Sequence, residues 1–461
     1  MTNVVRQTRE RRFLSEAKAL LLLATPIVIS QLAQMGMNFT DTVMAGRHSE
    51  QSLAGVAIGS SFWVPCFLFL VGVLMAITPM VAQAWGARNK KDIKHTIQQG
   101  LWLAAVLGLS MMFVLQLLGN VFYGLEMEAQ TRAQAQGYVY AVSFGLPALA
   151  FFQILRGLNE GMHLTRPFMY ASLIALLINI PLNYIFVYGK LGLPELGGIG
   201  CGWATAIVLW IELFLMLFIT IRNQKLIQIN WMFDWRKPEY KKIIEISKLG
   251  LPIGIALLIE SSMFALIALF LAKLGSTVVA GHQVAMSFIS TLFMIPLSLS
   301  LALTIRCGYY IGQGMPQRAR YIGVLGLGFT LVSATFFSLL ILLASDNIAA
   351  LYSTNLMVKS LAVELLFLAA IFQFSDAVQV TAAGILRGYK DTRFAFFTVL
   401  FAYWVVGLPL GYSLGLTSFW GKEYGAQGFW IGLIAGLGVA SVLLALRFLT
   451  ISREHISTQQ A

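Results

Sequence analysis

The chain has 461 residues, 58% of them hydrophobic and 11% charged, with a formal net charge of +12. Apolar runs long enough to cross a bilayer, roughly 20 residues each, recur from near Ala17 to near Leu449 with short polar breaks between them. That excludes a soluble globular or disordered protein, and leaves too little chain for a separate soluble domain.

The first residues carry Arg6, Arg9, Arg11 and Arg12 ahead of an apolar stretch, as a signal peptide would. The stretch runs past Pro26 toward Thr40 without a small-residue cleavage site, so it is read as a retained first helix. Apolar length and polar breaks predict spans at 16–46, 52–84, 95–119, 135–158, 166–189 and 198–221, then 244–272, 277–310, 321–344, 358–386, 393–415 and 425–450. The fold class expected is therefore an all-α membrane protein of about twelve transmembrane helices. The break at 222–243 is the most polar and is expected to be a linker between an N-lobe, 1–221, and a C-lobe, 244–461. Cys66, Cys201 and Cys307 show neither metal spacing nor disulfide pairing and are read as packing residues.

The basic charge is sorted by loop. Placing the breaks alternately puts 26 of the 32 Lys and Arg on one side, leaving Arg47, Arg132, Lys190, Lys273, Lys359 and Lys422 on the other. This is the positive-inside asymmetry: both termini are expected in the cytoplasm, the membrane is expected to be a bacterial inner membrane, and no nucleic-acid partner is implied.

The halves repeat. With Pro26 on Pro252, an ungapped offset of 226 gives 13 identical columns out of 61, including Ala54-Gly55 on Ala280-Gly281, Ser61-Phe62 on Ser287-Phe288 and Gly86 on Gly312. Further on, Ile154-Leu155-Arg156-Gly157 matches Ile385-Leu386-Arg387-Gly388, and Pro181 matches Pro409. An even number of spans per repeat makes both copies enter from the same side, so two six-helix lobes are expected about a pseudo-two-fold axis along the membrane normal. Two facing lobes with a central cleft are the build of an alternating-access transporter. Prolines 26, 65, 79, 147, 181, 252, 296 and 409 offer places for helices to bend.

An ionisable residue in mid-span costs about 2.5–3.5 kcal/mol on insertion scales, so those retained are paired or used. Asp41, Glu260 and Asp376 stand out, ahead of Glu212 and Glu364. Glu260 has no basic residue near it in sequence and shares a helix face with Phe264, four residues on; Asp376 lies on one stripe with Phe372 and Gln379. Such pairs of carboxylate and ring suit a cation, although both rings also serve as plain packing. Asp41 ends a stripe of Ser30, Gln34 and Asn38, and Asn179 and Asn183 form a second polar face around Pro181. The amides could equally be interhelical hydrogen-bond glue. The repeat sets Gln34 against Glu260 and Ile267 against Asp41, so the acids are not symmetry copies. His282, beside Gln283 at the start of the eighth span, is read as helix packing.

Four segments together resemble the NorM-type branch of the multidrug and toxic compound extrusion (MATE) transporters: Asp41-Thr42-Val43-Met44-Ala45-Gly46, Asn179-Ile180-Pro181-Leu182-Asn183, Ser276-Thr277-Val278-Val279-Ala280-Gly281-His282-Gln283-Val284-Ala285 and Leu386-Arg387-Gly388-Tyr389-Lys390-Asp391. The resemblance implies a V-shaped pair of lobes and cation-coupled antiport of flat cationic or zwitterionic drugs and dyes. It also implies a C-lobe cation site at Glu260 and Asp376 and a coupling role for Asp41. Gln34, Asn38, Asn179, Asn183, Phe264, Phe372, Gln283 and Gln379 are expected to line the substrate or cation cleft. Some sodium-coupled relatives have tyrosine where this chain has Phe372, and other members have an acid where it has Asn183. With that acid gone, sodium at Glu260 and Asp376 is expected in preference to a proton.

Beyond Na+ or H+ no cofactor is expected, and the chain is expected to be a monomer whose partners are small cationic drugs, a monovalent cation and the bilayer. A lipid-linked oligosaccharide flippase of similar build would call for cleft arginines to meet pyrophosphate, and this chain supplies acids. No Walker A loop, His-Glu-x-x-His or nucleophile with a nearby base is present, so neither ATP-driven transport nor an enzyme is expected.

Overall fold

The computed structural model describes residues 2–124 and 126–460, the side chains of residues 2–12, Trp420 and Gln460 excepted; the arginines at 6, 9, 11 and 12 lie outside the described side chains. Twelve spans are present if one bent helix pair is taken as a single crossing, and no strand occurs among the described residues. They are α1 (Thr2–His48), α2 (Glu50–Leu74 continuing as Ile77–Gly86), α3 (Lys90–Leu118), α4 (Ala129–Ser143 and Leu146–Gly161), α5 (Arg166–Val187) and α6 (Gly198–Arg222). The second half comprises α7 (Tyr240–Ala272), α8 (Ser276–Gly312), α9 (Pro316–Tyr352), α10 (Leu356–Gly388), α11 (Thr392–Leu400 to Leu408–Leu416) and α12 (Ala426–Gln460). Several run past the apolar stretches, as α1 and α9 do, because backbone hydrogen bonding continues where the side chains turn polar.

Three of the prolines mark discontinuities. Pro147 opens the second segment of α4, which is bent by 42° from the first. Pro79 lies in the first turn after the break in α2, and Pro409 follows a π-helical turn, Phe401–Gly407, in α11. Proline is suited to a first turn because its missing N–H would have had no helical partner there. The repeat is visible in the backbone too: Arg88 (φ +56°) and Gly314 (φ +68°), in the same column at offset 226, both take the left-handed conformation between α2 and α3 and between α8 and α9.

The chain forms two compact units, Thr25–Gly254 and Met1–Ala24 with Ile255–Ala461. The divisions fall inside α1 and α7, whereas the lobes expected from the repeat divide in the 222–243 segment. A helix that continues unbroken from one bundle to another leaves no mark in hydropathy. In the second unit, Glu16 on α1 pairs with Arg306 and accepts a hydrogen bond from Tyr310 on α8. In the first, α7 lies so close to α2 that a Cβ at Gly250 would sit 2.0 Å from the Val73 carbonyl oxygen.

Each unit has its own apolar core, one including Leu70, Ile77 and Val139, the other Met263, Phe372, Tyr403 and Trp430. In lipid the hydrophobic effect gives little drive to helix association, and close approach at small residues substitutes for it. Gly407, Gly411 and Gly415 of α11 face Gly428, Gly432 and Gly436 of α12 in this way: a Cβ at Gly432 would lie 2.5 Å from Gly411, and one at Gly428 2.5 Å from Gly415. This seam fixes α11, and with it Tyr403.

Candidate functional site

Each unit holds a polar cluster built on an acid of its spans. In the first unit Asp41 is buried, and its two oxygens accept three side-chain hydrogen bonds. Asn183 Nδ2 donates to Oδ1 at 2.7 Å and Asn179 Nδ2 at 3.3 Å, while Thr205 Oγ1 on α6 donates to Oδ2 at 2.9 Å. Spacing of four residues stacks the two asparagines on one face of α5, and Asn183 also donates to the Asn179 carbonyl. The amide oxygens Oδ1 of both asparagines are buried without a hydrogen-bond donor. No lysine or arginine among the described residues pairs with Asp41. The cluster therefore presents one carboxylate and two spare amide oxygens, a set of acceptors chemically suited to a hard monovalent cation.

The predicted stripe on α1 divides: Ser30 is buried and donates to the Pro26 carbonyl, Gln34 is half-buried, and Asn38 is exposed. Neither Gln34 nor Asn38 hydrogen-bonds to Asp41. The ligand supplied instead is Thr205, which sequence reasoning missed; in an apolar span a threonine carries little signal, since its hydroxyl can satisfy itself on its own helix.

In the second unit Glu260 on α7 is half-buried and Asp376 on α10 is buried. The two carboxylates lie within Coulombic range of one another. Glu260 Oε1 accepts a bond of 3.3 Å from the hydroxyl of Tyr403, which is fully buried in the π-helical turn of α11 and is within electrostatic range of Asp376 as well. Neither acid forms an ion pair among the described residues. A buried cation, Arg387, donates from Nη2 to Ser300 Oγ at 2.8 Å, and its charge is felt at Glu260. Gln379, one turn beyond Asp376, is buried with its Oε1 unpartnered.

Phe372 packs edge-on against Trp430, with ring centroids 5.9 Å apart, and so takes part in the core. Phe264 is a partly buried neighbour of that core. His282 accepts a hydrogen bond from the Trp430 indole at 3.2 Å, the packing arrangement expected of it, whereas Gln283 is exposed and bonds Ser287 on its own helix. Tyr403 is the second functional candidate that sequence reasoning missed, and its phenol stands near the acids where Phe372 has none to offer. A π-helical turn so often marks a functional position that it would have been a signal, had it been legible from sequence. Of the lower-ranked acids, Glu212 is buried in α6 and Glu364 accepts from Gln427 at the surface.

No group of three or more His, Cys, Asp or Glu among the described residues is arranged to hold a metal ion. Any cation held at these clusters would be met by carboxylate, amide and hydroxyl oxygens, which excludes the soft-ligand transition-metal sites. Two helical bundles built from a sequence repeat, each holding a carboxylate that forms no ion pair among the described residues, define a polytopic membrane protein of the transporter class.

The MatE family profile matches the chain twice, over residues 26–185 and 252–413, and the two matches begin at the prolines that align the internal repeat. The chain is 44% identical over 448 residues to "Multidrug resistance protein NorM" of Vibrio vulnificus (strain YJ016), covering 97% of this chain and 98% of that protein. It is 42% identical over 445 residues to "Multidrug resistance protein MdtK" of Yersinia pestis (strain Pestoides F), covering 96% and 97%. Among solved structures it superposes on the eukaryotic MATE transporter AtDTX14 with a TM-score of 0.86 at 21% identity, over 97% of this chain and 99% of that one. The chain belongs to the MatE family, and so to a family of membrane transporters and not to the enzymes.

Proposed function

We propose that this protein is a cation-coupled multidrug antiporter, with sodium at Glu260 and Asp376 as the coupling ion and cationic or zwitterionic drugs and dyes as the exported substrates. The observation that carries the proposal is the pair of carboxylates in the second unit: two acids within Coulombic range, inside a membrane bundle, with one long phenolic hydrogen bond to Glu260 and no ion pair to either among the described residues. Uncompensated buried charge is strongly destabilising, so such a pair requires a cation or proton for at least part of its working cycle. The names of the NorM and MdtK relatives, both multidrug resistance proteins, support drugs as the exported cargo.

In this reading sodium enters from outside, binds Glu260 and Asp376, and favours a state that releases the drug; the emptied transporter returns to load drug from the cytoplasm or inner leaflet by alternating access. Exchange of one sodium for one monovalent drug moves no net charge, so the membrane potential does no work on it and the sodium gradient must drive export. Asp41, with Asn179, Asn183 and Thr205, forms a second acceptor site that couples the first unit to the cycle. Positive-inside sorting puts both termini in the cytoplasm of a bacterial inner membrane, and a monomer suffices. The acids within the bundles do not favour a pyrophosphate-handling flippase.

Direct binding of radioactive sodium to purified protein tests the assignment. Wild type should bind sodium, and Glu260→Gln and Asp376→Asn should each lower that binding while Glu364→Gln leaves it intact. Undiminished binding in both site variants would refute it.

A further inference from the structure

We propose that residues 222–248 form a lipid-binding strap that seats acidic phospholipid headgroups of the inner leaflet. The segment is no loose linker. Gln98 and Gln99, adjacent on α3 and both fully buried, hold its backbone. Gln98 Nε2 donates to the carbonyls of Trp231, Phe233 and Asp234 at 3.0–3.3 Å, and Gln99 donates to the Lys237 carbonyl at 3.1 Å and accepts from Glu239 N at 2.7 Å. The Trp102 indole donates to the Arg236 carbonyl at 3.1 Å. Two adjacent amides thus do what strand partners do elsewhere, satisfying peptide groups that could not otherwise leave water.

The segment is also two-faced. Leu226, Ile229 and Trp231 are buried against the bundle, whereas Met232, Phe233, Trp235 and Tyr240 are 49–77% exposed. Its acids are paired: Asp234 with Lys94 and Glu239 with His95 on α3, and Glu245 with Lys242 within the segment itself. Arg222, Lys225, Arg236, Lys237, Lys241 and Lys248 are exposed and carry no ion pair among the described residues. The unpaired charges that face outward are therefore all cationic, and they stand among exposed aromatic rings.

Its depth follows from α3. Trp102 is twelve residues along the helix from Lys90, a rise of about 18 Å, so the strap backbone at Arg236 reaches the level where α3 has become apolar. Exposed Trp and Phe at that level with flanking cations suit the headgroup boundary, where aromatic rings concentrate. The inference rests on the proposed cytoplasmic placement of this segment, because it is the cytoplasmic leaflet that is anionic.

Because the tether uses backbone groups, side chains at 235–237 can be changed without cutting it. The test reconstitutes the full chain in phosphatidylcholine nanodiscs containing brominated phosphatidylglycerol or, in parallel, brominated phosphatidylcholine at the same fraction. The Trp235 fluorescence is taken as wild type minus Trp235→Phe. Brominated phosphatidylglycerol should quench it at least threefold more effectively, given about fivefold per cation near an anionic surface, and the double variant Arg236→Gln, Lys237→Gln should remove the preference. Inorganic phosphate at millimolar concentration should leave the quenching unchanged. Equal quenching by both lipids, no quenching by either as expected of a strap facing water or a soluble acidic protein, or displacement by inorganic phosphate would each overturn the proposal. Drug transport is not measured, so the outcome is separate from that of the coupling mechanism.

Discussion

Tyr403→Phe isolates a single oxygen atom at the proposed sodium site. The ring stays in a fully buried place and keeps its packing, so the change is confined to the 3.3 Å bond that the phenol donates to Glu260. A hydrogen bond to a charged group contributes about 1.5–3 kcal/mol when well formed. This one is longer than the usual 2.7–2.8 Å or so for O–H···O, so about 1–1.5 kcal/mol is the fitting range. On the proposed sodium assignment the phenol positions Oε1 of Glu260 and leaves the other oxygen and Asp376 for the ion. Its loss should weaken sodium binding by about fivefold to twelvefold, at about 1.4 kcal/mol per factor of ten. The assay is the sodium concentration giving half-maximal dye efflux from proteoliposomes, with thermal unfolding in detergent as a control for packing. A half-maximal concentration that stays the same or falls, in a variant of unchanged stability, would refute the positioning argument.

Four other changes probe the remaining parts. Asp41→Asn sets an amide among three donors where a carboxylate accepted them, so drug efflux should be lost while the protein still inserts and purifies, as size-exclusion chromatography would show. Gly432→Leu drives a side chain into Gly411 across the α11–α12 seam and should lower the melting temperature; overpacking of this kind costs about 1–3 kcal/mol, and an unchanged melting temperature would count against the seam. Glu16→Gln leaves the part-buried Arg306 without its carboxylate and should destabilise the second unit by up to about 3–5 kcal/mol, with Glu16→Leu, Arg306→Met less severe than either single change. Gln98→Ala with Gln99→Ala should release the strap, seen as faster amide hydrogen exchange at residues 231–239 with little change in α10.

Much of the fold could be read from the chain because lipid imposes a simple rule. Every backbone polar group in the bilayer must be satisfied within its own helix, so an apolar run of sufficient length has one outcome. Two features escaped that rule. The passage of α1 and α7 from one unit into the other depends on which surfaces the helix ends pack against, and hydropathy is blind to it. The hold of Gln98 and Gln99 on residues 231–239 depends on tertiary placement of two residues that read in sequence as the polar start of a span.

The site divides in the same manner. Asp41, Asn179, Asn183, Glu260 and Asp376 stood out because polar groups in a span are costly, and the structure places the first three within hydrogen-bonding distance of one another. Thr205 and Tyr403 did not stand out, since a hydroxyl on a largely apolar residue costs little and advertises nothing. Tyr403 reaches Glu260 only because a π-helical turn and a glycine seam set its position. Gln34 and Asn38 share the Asp41 stripe by helical periodicity, and periodicity alone does not say which of its members bond the acid: its partners are Asn179, Asn183 and Thr205 from other helices.

The most direct test of the account is ethidium efflux from proteoliposomes of wild type, Glu260→Gln and Asp376→Asn, driven first by a sodium pulse and then by a proton pulse. Sodium-driven efflux by wild type that both variants lose is the predicted result; efflux driven by neither ion, or normal export by both variants, would contradict the mechanism assigned to these acids.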